Sequence, residues 1–110
     1  MIVSIHQPEH LPWPGLINKA SKSEIFVILD NVSFRKNYFQ NRNLIYSQRG
    51  KEWLTIPVRK ANGKLIRDVR VLEKSDVWKK KYLKKLYYSY NKTPFFNQYF
   101  KYIEEIINKN

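Results

Sequence analysis

His6, Asp30 and a mixture of cations and amides between Arg35 and Asn43 are the residues of this 110-residue chain whose types and spacing could do chemistry. His6 follows the apolar run Ile2-Val3-Ser4-Ile5 and opens a segment holding Pro8, Pro12, Trp13, Pro14 and Gly15. An imidazole titrates near neutrality, so it can serve as a base or as a donor to a phosphate or carbonyl oxygen. It can equally be a structural group bonded to loop backbone. Each proline fixes φ and removes an N–H donor, so the loop keeps one shape at low entropic cost. Ligands of open α/β sheets sit at strand carboxyl ends, and a stiff loop placed there is where a site is expected.

The second constellation runs from Asp30 to Asn43, DNVSFRKNYFQNRN. Arg35, Lys36 and Arg42 are cationic donors; Gln40, Asn41 and Asn43 offer directional amides; Phe34, Tyr38 and Phe39 offer flat apolar surface. That set suits a ligand with an anionic end and a polar body, such as a nucleotide or a nucleotide-linked sugar. It also suits single-stranded nucleic acid, with bases on the aromatics and backbone on Arg and Lys. Amide-rich loops can instead bond their own backbone. His6 and His10 are four apart, but Pro8 between them rules out a shared helical face. Glu9 is the one nearby third ligand, so no metal site is expected.

Bulk properties narrow the classes. The absence of cysteine excludes disulfides, thiol catalysis and Cys-based zinc sites. The first apolar run is too short for a signal peptide or a membrane span, so a cytoplasmic protein is expected. The formal net charge is +12 and it is lopsided: residues 1–30 carry two lysines against three acids, and the rest carries 19 basic and 6 acidic residues. Such a balance points to nucleic acid, phosphate-bearing ligands or an anionic surface as partners. Scattered lysines, as here, also occur as a plain solvated face.

The elements that must position these residues follow from the apolar pattern. Ile2–Ile5 reads as a strand, Leu16–Lys22 as a short helix just past Gly15, and Ile25–Leu29 as a strand buried on both faces. Together they form a strand-loop-helix-strand unit, expected to be parallel, with Asp30 on the same edge as His6. Residues 31–50 show no clean period. Glu52–Val58 reads as a strand that Pro57 confines to an edge or to a bulge position, Asn62-Gly63 as a hairpin turn, and Leu65–Leu72 as the returning strand. Ser75 is the expected cap of a helix whose apolar face is Trp78, Tyr82, Leu83, Leu86, Tyr87 and Tyr90; Lys79, Lys80, Lys81, Lys84 and Lys85 fill its other side. Thr93-Pro94 is expected to start a last helix burying Phe96, Tyr99, Phe100, Ile103, Ile106 and Ile107. The expected class is α/β: that N-terminal unit, an edge hairpin and two C-terminal amphipathic helices.

Four blocks resemble, in order, the N-terminal motifs of the WbqC-like family: Ile5-His6-Gln7-Pro8-Glu9-His10-Leu11-Pro12-Trp13-Pro14-Gly15, Leu29–Lys36, Phe39-Gln40-Asn41-Arg42-Asn43 and Trp53–Val58. The family occurs among bacterial surface-polysaccharide and O-antigen synthesis functions, and transfer of glycine or another aminoacyl group onto a sugar has been proposed for some members. The resemblance therefore implies a transferase of a small acyl or aminoacyl group to a nucleotide-linked sugar. His6 and Asp30 would be catalytic; Gln7, Trp13, Lys36, Gln40, Asn41, Arg42 and Asn43 would bind substrate. His10 departs from the tyrosine more usual in the family. Members are usually about twice this length, so one domain cut short at its C-terminus is expected, with a complementing chain or a homo-oligomer as partner. The first unit is also similar in outline to nucleotidylyltransferase-type folds, but Leu16 stands where those carry a histidine. No pattern names a cofactor. A basic module for RNA or another anionic polymer is the alternative from a different class.

Overall fold

The structure is a computed structural model that describes residues 1–72 and 76–109. Its elements are β1 (Val3–His6), α1 (Pro14–Ser21), β2 (Ile25–Ile28), β3 (Arg42–Ser47), β4 (Gly50–Thr55), β5 (Val58–Arg59), a 3-10 turn at Ile66–Asp68, β6 (Arg70–Val71), α2 (Val77–Tyr90) and α3 (Phe96–Asn108). This is the α/β class expected. The chain divides into two compact units, residues 1–43 with 57–72, and residues 44–56 with the described residues from 76 onward.

In the first unit β1 and β2 pair in parallel, Val3 opposite Ile25 and His6 opposite Ile28. Parallel strands cannot be joined by a tight turn, and the crossover is supplied by the proline loop and α1. That helix starts at Pro14 rather than past Gly15, because proline's fixed φ and missing N–H suit a first helical position. Leu16 is its buried residue. Ser23 Oγ donates to Ser4 Oγ at 2.6 Å, which places the helix side on the Ser4 and His6 face of the strand pair. By alternation Val3, Ile5, Ile25 and Val27 share the opposite face, and all four are exposed, by 50, 53, 48 and 38%. The expectation that β2 is buried on both faces is therefore corrected. An unbroken apolar run predicts double burial only where a layer lies on each side, and within this unit α1 lies on one, where Ile28 at the strand end is still 61% exposed.

The rest of the unit is tied by backbone bonds. Ser33 bridges Leu65 in antiparallel fashion, the Phe34 N–H reaches the Lys64 carbonyl at 2.8 Å, and the Ile66 N–H reaches Val32 at 2.9 Å. The Asn62-Gly63 turn forms as expected: the Lys64 N–H donates to Ala61 at 3.1 Å, and Gly63 takes φ 78°, a value glycine reaches without strain. The returning strand is shorter than expected, because Ile66–Asp68 coils into the 3-10 turn and only Arg70–Val71 pairs, with Val58–Arg59. The neighbouring apolar residues Leu65 and Ile66 break the alternation a strand needs. Glu52–Val58 is likewise not one strand: β4 ends at Thr55, before Pro57, which has no N–H for a ladder.

In the second unit β3 and β4 form a hairpin around Gln48-Arg49. Its core is Ile45, Leu54, Tyr82, Leu83, Leu86 and Ile107, with Ile56, Trp78, Tyr90, Phe100 and Ile103 packed against it. Polar ties reinforce the sheet–helix contact: the Tyr46 N–H donates to Tyr90 Oη at 2.8 Å, and Lys85 Nζ donates to the Trp53 carbonyl at 2.8 Å. Burial pushes the Tyr82 phenol up to about 12. The expected Ser75 cap lies outside the described residues. The last helix begins at Phe96, not at Pro94. Thr93 instead donates its hydroxyl back to the Tyr90 carbonyl at 2.6 Å and closes α2, and Phe95 turns the chain at φ 65°. Tyr99 and Ile106, expected to be buried, are 58 and 66% exposed, as is Tyr87 at 43%, so the α3 stripe is wider than the surface this unit covers.

Leu54 is only 1% exposed, and Leu54→Ala is expected to cost about 2–5 kcal/mol in urea unfolding through lost burial and the cavity left. Ile106→Ala, on the uncovered part of α3, is expected to change stability by less than about 0.5 kcal/mol.

Candidate functional site

His6 closes β1, and its ring lies between two side chains. Its Nε2 is 3.2 Å from Glu9 Oε1, and its Nδ1 is 3.5 Å from Lys19 Nζ. Lys19 reaches there from α1 and also donates to the Ile5 carbonyl at 2.7 Å. An ammonium has donors and no lone pair. The partners therefore assign Nδ1 as acceptor and Nε2 as the protonated nitrogen of the neutral ring, donating to the Glu9 carboxylate. The His6 and Glu9 side chains are 25 and 15% exposed, shielded enough to be held and open enough to be reached. Glu9 entered the sequence reading only as a weak metal ligand and Lys19 not at all; thirteen residues separate Lys19 from His6, and only the crossover helix makes them neighbours.

Asp30 lies on the same edge. The Leu29 N–H donates to the His6 carbonyl at 2.9 Å, and the Asp30 carbonyl accepts the Arg67 N–H at 3.0 Å. The end of β2 is thus clamped on both sides beside the end of β1.

The amide-rich segment holds the proline loop. Gln40 Nε2 donates to Gln7 Oε1 at 3.0 Å, while its Oε1 accepts the Arg35 N–H at 2.7 Å. Asn43 Nδ2 donates to both the His10 and Leu11 carbonyls, at 3.2 and 2.7 Å. The His10 N–H donates to the Phe39 carbonyl at 2.8 Å, and Arg42 donates to the Asn37 carbonyl at 2.7 Å. Gln7, Gln40, Arg42 and Asn43, expected to meet substrate, are thus brought together around the loop, with the Gln40 and Asn43 amides and the Arg42 guanidinium donating to the protein itself and Gln7 accepting. One reason is visible at Leu11, which takes φ 46° just before Pro12. That backbone region disfavours a branched side chain, and the Asn43 bond to its carbonyl helps to hold it. Asn41 is half-buried in the same segment, and Lys36 is exposed. Trp13, 59% exposed, folds its indole over the Cα of Gly15, where an added Cβ would overlap the ring.

Among the described residues, no group of three or more His, Asp or Glu side chains is placed to hold a metal ion. None of the described helices is long and apolar enough to cross a membrane.

Burial lowers the His10 imidazole from its ordinary 6.5. The unfolded chain then takes up a proton that the folded one resists. This stabilisation is complete above the unfolded value and is lost as pH falls through the folded one. Denaturant unfolding between about pH 8 and pH 5 is expected to show stability declining on acidification, and His10→Gln to flatten that decline. Asn43→Ala, which removes the donor to two carbonyls that solvent can reach, is expected to cost about 0.5–1.5 kcal/mol, measured by the same unfolding titration.

The model of the WbqC-like protein family matches residues 7–110. The uncharacterized protein Rv1507c of Mycobacterium tuberculosis is 29% identical over 91 residues, which make up 81% of this chain and 38% of that protein. The chain therefore spans about two fifths of the length of this curated relative. No solved structure matches. With the family model covering the proline loop, α1, β2 and both C-terminal helices, the chain belongs to the WbqC-like protein family.

Proposed function

We propose that this chain serves bacterial surface-polysaccharide synthesis, O-antigen included, as a cytoplasmic transferase of a small acyl or aminoacyl group onto a nucleotide-linked sugar. The observation that carries this is the Glu9–His6 pair at the carboxyl edge of a parallel strand unit, beside Asp30. An imidazole oriented by a carboxylate is suited to take a proton from an acceptor hydroxyl or amine. Asp30 orients that acceptor; Lys36 and Arg42 hold the anionic part of the substrate; Trp13 offers a flat face to a sugar or base; Gln7, Gln40, Asn41 and Asn43 shape the loop and read the polar body. The chain has no cysteine, and transfer proceeds directly between bound substrates. Incubation of the purified chain with nucleotide-linked sugars and an activated acyl ester, followed by mass spectrometry, is expected to give the acylated sugar. His6→Ala is expected to reduce the rate by about 10²-fold or more; full activity in that variant refutes the assignment.

A second reading is supported by Arg35, whose guanidinium stacks over Tyr38 at 4.4 Å in a chain of net charge +12. A basic–aromatic surface of this kind binds anionic polymers such as RNA. Its affinity would fall steeply with salt and would be indifferent to His6→Ala, whereas binding of one nucleotide-linked sugar would respond mildly to salt.

A further inference from the structure

Lys19 has no place in the roles above, yet it occupies the one ring nitrogen of His6 that could accept a proton. Its two contacts are unequal. The bond to the Ile5 carbonyl is 2.7 Å, well inside hydrogen-bond range, whereas the contact to Nδ1 is 3.5 Å, at the outer limit. The other nitrogen, Nε2, donates to Glu9. With both nitrogens taken, His6 has no lone pair to offer an acceptor until Lys19 moves. Lysine is a flexible point charge on a long stem, and the stem of Lys19 leaves α1 on an exposed part of the helix. An anionic group arriving beside it gains a charge-assisted bond to the ammonium and draws it from the weaker of its two contacts.

We infer that Lys19 is an anion-responsive cover over the catalytic base: the diphosphate of a nucleotide-linked substrate takes the Lys19 ammonium and thereby frees His6 Nδ1. This rests on the transferase reading for its substrate class. Glu9 is the positioning residue that holds the ring while the cover moves. Once Nδ1 is free, it accepts the proton of the acceptor hydroxyl or amine as that atom bonds to the acyl carbon of the activated ester. The imidazolium formed, paired with Glu9, returns the proton to the departing alcohol as the ester bond breaks, so the ring ends as it began. The consequence is that the base is masked until the anionic substrate is in place, which limits hydrolysis of the acyl donor by water.

The test reads the ring nitrogens directly, by two-bond proton–nitrogen NMR of the ¹⁵N-histidine-labelled chain, with UDP and, separately, inorganic pyrophosphate as probes. In the unliganded protein Lys19→Met is expected to shift the His6 Nδ1 resonance and leave Nε2, Glu9→Ala to shift Nε2, and Lys19→Arg to preserve the wild-type pattern. Either probe is expected to shift Nδ1 of the wild type toward its position in Lys19→Met, and to add nothing in Lys19→Met itself. An Nδ1 resonance unmoved by both probes, or unmoved by Lys19→Met, overturns the inference. Acyl transfer with a silent Nδ1 would leave the transferase standing without the cover; a responsive Nδ1 with no transfer to any acceptor would leave the cover and remove the transferase.

Discussion

The parallel pairing of β1 with β2 is the constraint on which the rest of the site depends. Two strands running the same way oblige the chain to cross from the end of one to the start of the other, and residues 7–24 are that crossing. The crossing carries the proline loop past the end of β1 and then lays α1 against the face that bears Ser4 and His6. The closeness of Lys19 to His6 and the placing of Asp30 beside the end of β1 both follow from it. A hairpin in the same place would have sent β2 the other way and put Asp30 at the far end of the sheet.

A stiff loop still has to be held in one position, and the interactions that hold it come from much later in the chain. Gln40 and Asn43, more than thirty residues beyond their partners, and the Phe39 carbonyl reach back to Gln7, His10 and Leu11. Each net hydrogen bond of this kind stabilises modestly, on the order of 1 kcal/mol. Their combined effect is positional, since they fix the loop backbone at Leu11 in a conformation that Pro12 alone would not select. Prolines limit the shapes available and the amides choose among them.

The parallel unit, the Asn62-Gly63 turn and the two amphipathic helices were legible because each rests on local pattern: an apolar run, a turn dipeptide, a repeat of three or four. The strand at Arg42–Ser47 was not, because its sequence RNLIYS has adjacent Leu44 and Ile45, of which only Ile45 is buried, and so lacks alternation. The start of α3 was misplaced because Thr93-Pro94 is a valid local start signal, and the same threonine hydroxyl found a carbonyl at the end of α2 instead. At the candidate site, the placing of His6 and Asp30 on one edge could be read from the strand ends. Lys19 could not, because a lysine on a short polar helix carries no sign of which carbonyl its ammonium will find. Gln40 and Asn43 were read for their chemistry, but which partners those amides meet is set by the fold.

The crossover has one more consequence, which concerns covalent continuity. Residues 7–13 carry the chain from β1 into α1, and β1 is merely four residues long. Trp13 and Leu11 stand exposed in that path. A strand this short, once severed from its helix, would have the ladder to β2 and a few side-chain bonds to retain it against the entropy of a free peptide. One backbone cut between Leu11 and Trp13 would therefore break the covalent link that holds His6 and Glu9 in step with Lys19 and Asp30, without touching any of the four.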